Sequence, residues 1–135
     1  MLKNEKMQEL ITKAKEAWEK AYAPYSNYQV GAAVLTENGE IFTGVNVENA
    51  VYPLTICGER AAIFNAVSHG QKSFQAIAVV TRNGGTPCGS CRQVMAEFGM
   101  ETLVLMANSD GEILQSLTVK ELLPSAFGKA DIQDG

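Results

Sequence analysis

Residues 74–106 read FQAIAVVTRNGGTPCGSCRQVMAEFGMETLVLM, and the order of structure in this stretch indicates what kind of sheet the chain can build. Phe74 to Val80 is a short run rich in apolar and β-branched residues, which predicts a strand. Thr81 to Pro87 holds two glycines and a proline and reads as a loop. Cys88 to Phe98 predicts a helix closed by Gly99, and Thr102 to Met106 predicts a further strand.

Downstream, Asn108-Ser109-Asp110-Gly111 is a turn into a short strand at Ile113 to Ser116. Thr118 to Glu121 then matches a capping box that opens a short helix, and a polar tail follows after about residue 128. Upstream, Cys57 to Ser68 is apolar on most sides and ends near Gly70, which predicts a helix buried in the domain. Gln29 to Leu35 and Ile41 to Val47 flank the turn residues Glu37 to Glu40 and form a hairpin. Between Met7 and Ala23 the residues Leu10, Ile11, Ala14, Trp18, Ala21 and Tyr22 recur at helical spacing, and Pro24 ends the run. The whole order predicts an α/β fold in three layers, a mixed sheet of about five strands with helices on its faces.

A chain of 135 residues with 46% hydrophobic and 19% charged content suits a single globular domain spanning 1–135. Net charge is −4 and the eleven Lys and Arg residues are scattered, which argues against a nucleic-acid polymer as partner. The N-terminal stretch is charged at every turn and no segment approaches membrane-spanning length, so no membrane association and a cytoplasmic location are expected. Three cysteines cannot all pair within one chain, so metal binding or catalysis is the use to test.

Cys88-Gly89-Ser90-Cys91 is a C-x-x-C pair at a predicted helix start, and Cys57 stands at another. Helix N-termini lower a thiol's pKa and favour the thiolate a metal requires. A structural zinc normally takes four protein ligands, whereas a catalytic one takes three and leaves a position open. The single histidine, His69, falls about 18 Å from Cys57 along its helix axis and reads as a helix-end residue. Glu59, two residues after Cys57, can reach the open face of such a metal, where a carboxylate can accept and deliver a proton. Three thiolates and Zn2+ sum to −1, an excess that two helix N-termini at roughly +0.5 each nearly offset. Arg60 is the candidate for a further cation hydrogen-bonded to the sulfurs.

Cys57-Gly58-Glu59-Arg60 together with Pro87 to Gln93 resembles the small zinc-dependent cytidine deaminases, which form homotetramers. Tyr25-Ser26, Val30 to Ala33, Gly44 to Ala50 and Glu121 to Pro124 fall in the family's order, so the resemblance covers roughly residues 20–128. It implies one Zn2+ per subunit on Cys57, Cys88 and Cys91, a water acidified there, and Glu59 as the proton carrier. The implied reaction is hydrolytic deamination of free cytidine and 2'-deoxycytidine to the uridines plus ammonia, in pyrimidine salvage. It further implies that Asn46 and Glu48 bind ribose, that Tyr28 packs near the pyrimidine, and that Tyr52 and Phe127 enter a neighbouring subunit's site. Three positions depart from the family pattern: Gly58 for alanine, Tyr28 for phenylalanine, and a short Thr81 to Pro87 loop. Gly58, beside the substrate, suggests a slightly roomier pocket. Two other readings stay open, a zinc deaminase of another amino-heterocycle or modified nucleoside, and a zinc-stabilised binding domain without turnover.

Overall fold

The structure, a computed structural model, describes residues 2–133. Five strands, β1 (Gly31–Thr36), β2 (Ile41–Val45), β3 (Phe74–Val80), β4 (Leu103–Ala107) and β5 (Ile113–Thr118), form one mixed sheet in the order β2-β1-β3-β4-β5. β3 and β4 run parallel with α3 (Gly89–Phe98) between them in the chain, and the other three pairings are antiparallel. The remaining helices are α1 (Asn4–Trp18), α2 (Gly58–Ser68), α4 (Val119–Leu122) and α5 (Lys129–Gln133).

The period-2 alternation of the central strands sorts the core into two halves. On β1, Ala33 and Leu35 join Leu10, Ile11 and Ala14 of α1, while Ala32 and Val34 join Ala62, Ile63 and Ala66 of α2 and Met95 of α3. Three layers result, as the sequence implied. The outer layers lie close to the sheet because two strand glycines let them. A Cβ on Gly31 would stand 2.2 Å from the backbone nitrogen of Trp18, and one on Gly44 would stand 2.2 Å from that of Ala62.

Several boundaries differ from expectation. α1 begins at Asn4 and stops at Trp18, before Ala23. Tyr22 leaves the helical path because its N–H donates to the Asn46 carbonyl and its own carbonyl accepts from Glu48 N–H, a sheet-like pairing that outcompetes another helical turn. Cys57 and Cys88 are N-caps, one residue outside α2 and α3. α2 buries Ala62, Ile63 and Ala66, yet Phe64 on its other side stays exposed, so its apolar girth is only half covered. The stretch read as a polar tail carries α5 up to Gln133; residues 134–135 lie outside the described part. The Thr118–Glu121 capping box is formed in both directions, Thr118 N–H to Glu121 Oε1 at 2.9 Å and Glu121 N–H to Thr118 Oγ1 at 3.2 Å.

One end of the sheet gathers the parts of a site. Gly31 pairs with both Val45 and Val80, so the start of β1 and the ends of β2 and β3 lie side by side. The segments just beyond them, at Tyr28–Val30, Asn46 and Thr81, border the N-termini of α2 and α3. Ligands favour the carboxyl ends of strands in sheets of this class.

Candidate active site

Two helix N-termini deliver the cysteines. Cys57 caps α2, Cys88 caps α3, and Cys91 sits one turn into α3, where its N–H points at the Cys88 sulfur. All three sulfurs lie within 4.8 Å of one another, with Cys88 and Cys91 3.5 Å apart. Tetrahedral thiolates around one zinc at about 2.3 Å stand roughly 3.8 Å apart, so this trio fits the ion with little movement. His69 is not among them. Its Nδ1 lies 2.8 Å from the Asn65 carbonyl and its ring packs on Phe42, as suits a helix-end residue.

The metal-free trio is already polarised towards a thiolate. The neighbouring Cys91 thiol, together with the Arg60 guanidinium, draws the Cys57 pKa down to about 5. The neighbouring Cys57 and burial in turn push the Cys91 thiol up. Arg60 Nη2 donates to Cys57 Sγ at 3.2 Å, and that contact in turn raises the guanidinium's own pKa. The guanidinium therefore adds positive charge directly at the sulfurs. Arg60 makes no ion pair with a carboxylate among the described residues, and its buried Nε has no partner there.

A cavity of about 200 Å³ opens onto Cys57 and Cys88. Glu59 lines it and is 5% exposed. Burial lifts its carboxyl to about 7, the Cys57 thiolate adds to the rise, and Arg60 opposes it. Tyr28, Val30, Asn46, Thr55, Val79 and Thr81 complete much of the wall. An outer cavity of about 380 Å³ adjoins it through Thr55 and is lined by Tyr25, Ser26, Glu48, Asn49 and Tyr52.

The structure thus brings Glu59, Tyr28 and Asn46 together at the cysteines and puts Glu48 and Tyr52 in the outer chamber. The Glu48 carboxylate accepts from the Ser26 hydroxyl and from the N–H groups of Tyr25 and Ser26, which hold its pKa below the usual carboxylate range. Asn46 is buried and half committed: Oδ1 accepts from Val30 N–H at 2.9 Å and Nδ2 donates to the Tyr28 carbonyl at 2.8 Å. One Nδ2 hydrogen remains for a ligand. Gly58 is absent from the walls of both cavities. A Cβ there would meet Val30 and the Asn46 backbone at 3.0–3.3 Å, so the missing methyl tightens packing under α2 and the pocket gains no room. Tyr52 and Phe127 are 71% and 60% exposed; Phe127 lies apart from both chambers, in a surface groove beside α3 and α5. Sequence reasoning missed Ser26, Thr55 and Gly85 as wall residues, because small residues in loops carry no periodic or chemical signal.

Comparison with known proteins bears on this arrangement. The family described as "Cytidine and deoxycytidylate deaminase zinc-binding region" matches residues 4–107. A cytidine deaminase of Sporosarcina psychrophila is 49% identical over 129 residues, covering 93% of this chain and 94% of that protein. One from Halalkalibacterium halodurans is 51% identical over 130 residues, covering 94% and 98%. The crystal structure of cytidine deaminase from Burkholderia pseudomallei superposes with a TM-score of 0.85 at 46% identity, covering 93% of this chain and all of that one.

Proposed function

We propose, from the premise that this chain belongs to the zinc-binding cytidine and deoxycytidylate deaminase family, that it hydrolyses cytidine and 2'-deoxycytidine to the corresponding uridines and ammonia. One observation carries this reading: three sulfurs that supply only three ligands face the same cavity as a buried carboxyl poised near neutrality. Cys57, Cys88 and Cys91 hold the zinc, which when bound lowers the pKa of a water and so provides the nucleophile near neutral pH. Binding modules with a structural zinc close the fourth position with protein, and no further His, Cys, Asp or Glu joins this group among the described residues.

Glu59 Oε takes a proton from the attacking water and returns it to N3 of the ring as oxygen adds to C4. Glu59 then takes the remaining hydroxyl proton at C4 and delivers it to the amino group, so that the C4–O bond becomes the carbonyl of the uracil ring as the C4–N bond breaks and ammonia leaves. Burial, which raises the Glu59 carboxyl pKa in the metal-free protein, favours a group that both accepts and releases a proton. The inner chamber takes the pyrimidine ring against Tyr28, and the outer one takes the sugar. There Glu48, ionised and held in place by Ser26, accepts hydroxyl hydrogen bonds, while Asn46 offers its remaining Nδ2 hydrogen from the wall of the inner chamber. Arg60 offsets the charge of the thiolates through its contact with Cys57. Gly58 contributes only its backbone, at the first turn of α2.

The test is to mix the zinc-loaded protein with cytidine and follow the fall in ultraviolet absorbance as cytosine becomes uracil. Inertness toward both cytidine and 2'-deoxycytidine with zinc bound would sink the reading. Glu59→Gln should abolish turnover while leaving the metal in place.

The same reading extends to assembly. Residues 1–135 act as one deaminase domain that associates as a homotetramer in the cytoplasm and serves pyrimidine salvage. Exposed Tyr22, Val51, Tyr52, Leu54, Phe64 and Phe127 support association, because apolar surface of that extent on one small chain favours burial. Tyr52 and Phe127 are the candidates to reach a neighbouring subunit's site. Sedimentation equilibrium at the mass of four chains is the expected result, and a monomer would exclude it. No helix among the described residues is long and apolar enough to cross a membrane.

A further inference from the structure

The Tyr28 ring, a wall of the inner cavity, is held from two directions by two loops distant in the sequence. Its backbone belongs to the segment before β1: Tyr28 N–H donates to Ser26 Oγ at 3.0 Å and its carbonyl accepts from Asn46 Nδ2. Its side chain, in contrast, is gripped by the loop after β3. The hydroxyl donates to Asn83 Oδ1 at 2.7 Å, and the Arg82 guanidinium carbon sits 5.0 Å from the ring centroid while Nη1 donates to the Asn27 carbonyl at 3.4 Å. Gly85 completes the enclosure. A Cβ at that position would stand 2.6 Å from the Tyr28 hydroxyl, which is too close for any side chain while the hydroxyl stays where it is.

The gripping loop is itself anchored. Gly85 N–H donates to Thr81 Oγ1 at 2.9 Å, and Asn83 bridges to Asn108 beyond β4. Asn83 and Arg82 are both exposed, and exposed hydrogen bonds contribute little to net stability, so the main consequence of the grip is where the ring stands. Tyr28, Gly85 and Thr81 all border the chamber that holds Glu59.

We propose that Arg82, Asn83 and Gly85 form a niche that fixes the Tyr28 ring against the substrate, which makes them positioning residues for binding in the inner chamber. The inference rests on the deamination reading for its functional half, whereas the niche itself can be tested without activity. Because the collision is with the hydroxyl alone, Gly85→Ala and Tyr28→Phe make a diagnostic pair.

In kinetics with cytidine, Gly85→Ala should raise KM about three- to tenfold with kcat changed by less than about twofold, and adding Tyr28→Phe should return KM to that of Tyr28→Phe alone. Asn83→Leu, which removes the acceptor, should raise KM about three- to fivefold, whereas Asn83→Asp, which keeps one, should restore most of the loss. In thermal unfolding, Gly85→Ala should lower the midpoint in the wild-type background and not in the Y28F background. Equal thermal penalties in the two backgrounds overturn the niche, and failure of Tyr28→Phe to rescue KM overturns its role in binding. A wild-type protein inert toward cytidine with the thermal pattern intact refutes the deamination reading, and with it the KM role, while the niche stands.

Discussion

Arg60 is where the electrostatics of the site are most exposed to test. Its guanidinium contacts Cys57 Sγ and opposes the rise in the Glu59 pKa, so removing it makes both the sulfur cluster and the carboxyl harder to keep in their working charge states. Arg60→Ala should therefore move the acid limb of the activity–pH profile upward by about one unit, read as kcat/KM against pH on zinc-loaded protein. An unmoved profile would refute the charge-offset role. Glu59 gives a second test at the same scale. In the metal-free protein its folded pKa is raised from 4.5 to about 7, so the folded state holds the proton more tightly than the unfolded state. The resulting stability is fully present below about 4.5 and is lost as pH rises through about 7. Glu59→Gln should thus gain on the wild type as pH rises, by up to about 3 kcal/mol, in urea unfolding of chelated protein compared at about pH 5 and about pH 8. A gap that fails to widen contradicts the buried-carboxyl account. The cysteines, Glu59 and Arg60 were legible from sequence because metal chemistry admits few residue types. Asn83 and Gly85 were not, since they meet the site at Tyr28, 55 residues away from Asn83.

At the scale of elements, Arg92 shows how a motif residue can serve the frame. It follows Cys91 directly, yet its side chain turns away from the cavity: Nε donates to the Pro87 carbonyl and Nη1 to the Leu122 carbonyl, each at 2.8 Å. The first bond braces the entry to α3, and the second caps an end carbonyl of α4. A lysine cannot serve two such acceptors with one fixed fork. Arg92→Lys should cost about 1–2 kcal/mol in denaturant unfolding with zinc content unchanged, and metal loss at full stability would contradict this assignment. The start of α4 was readable in advance because caps are local, as the Thr118–Glu121 box illustrates. The end of α1 was not, because its last expected turn competes with pairing between Tyr22 and Val47, a partner that periodicity cannot reveal.

For the whole molecule, the cysteines join helices that enter the sheet from different chain segments, with α2 preceding β3 and α3 following it. Zinc that binds the folded trio and not the unfolded chain must stabilise the entire fold by mass action. Removing the metal with a chelator should lower the thermal midpoint by on the order of 5–10 °C, and excess zinc should restore it in calorimetry. An unchanged midpoint would mean that the site contributes nothing to holding α2 and α3 together. The chain's pattern alone determined the layers, a sheet of about five strands and the three cysteines as a candidate metal group, because alternation, capping and thiolate chemistry act over a few residues. Only the tertiary structure decided that Glu59 is buried, that Gly58 tightens packing without widening the pocket, and that a loop after β3 holds the Tyr28 hydroxyl. Burial, close approach and distant partners exist only once β1, β2 and β3 have brought their ends to the same edge of the sheet.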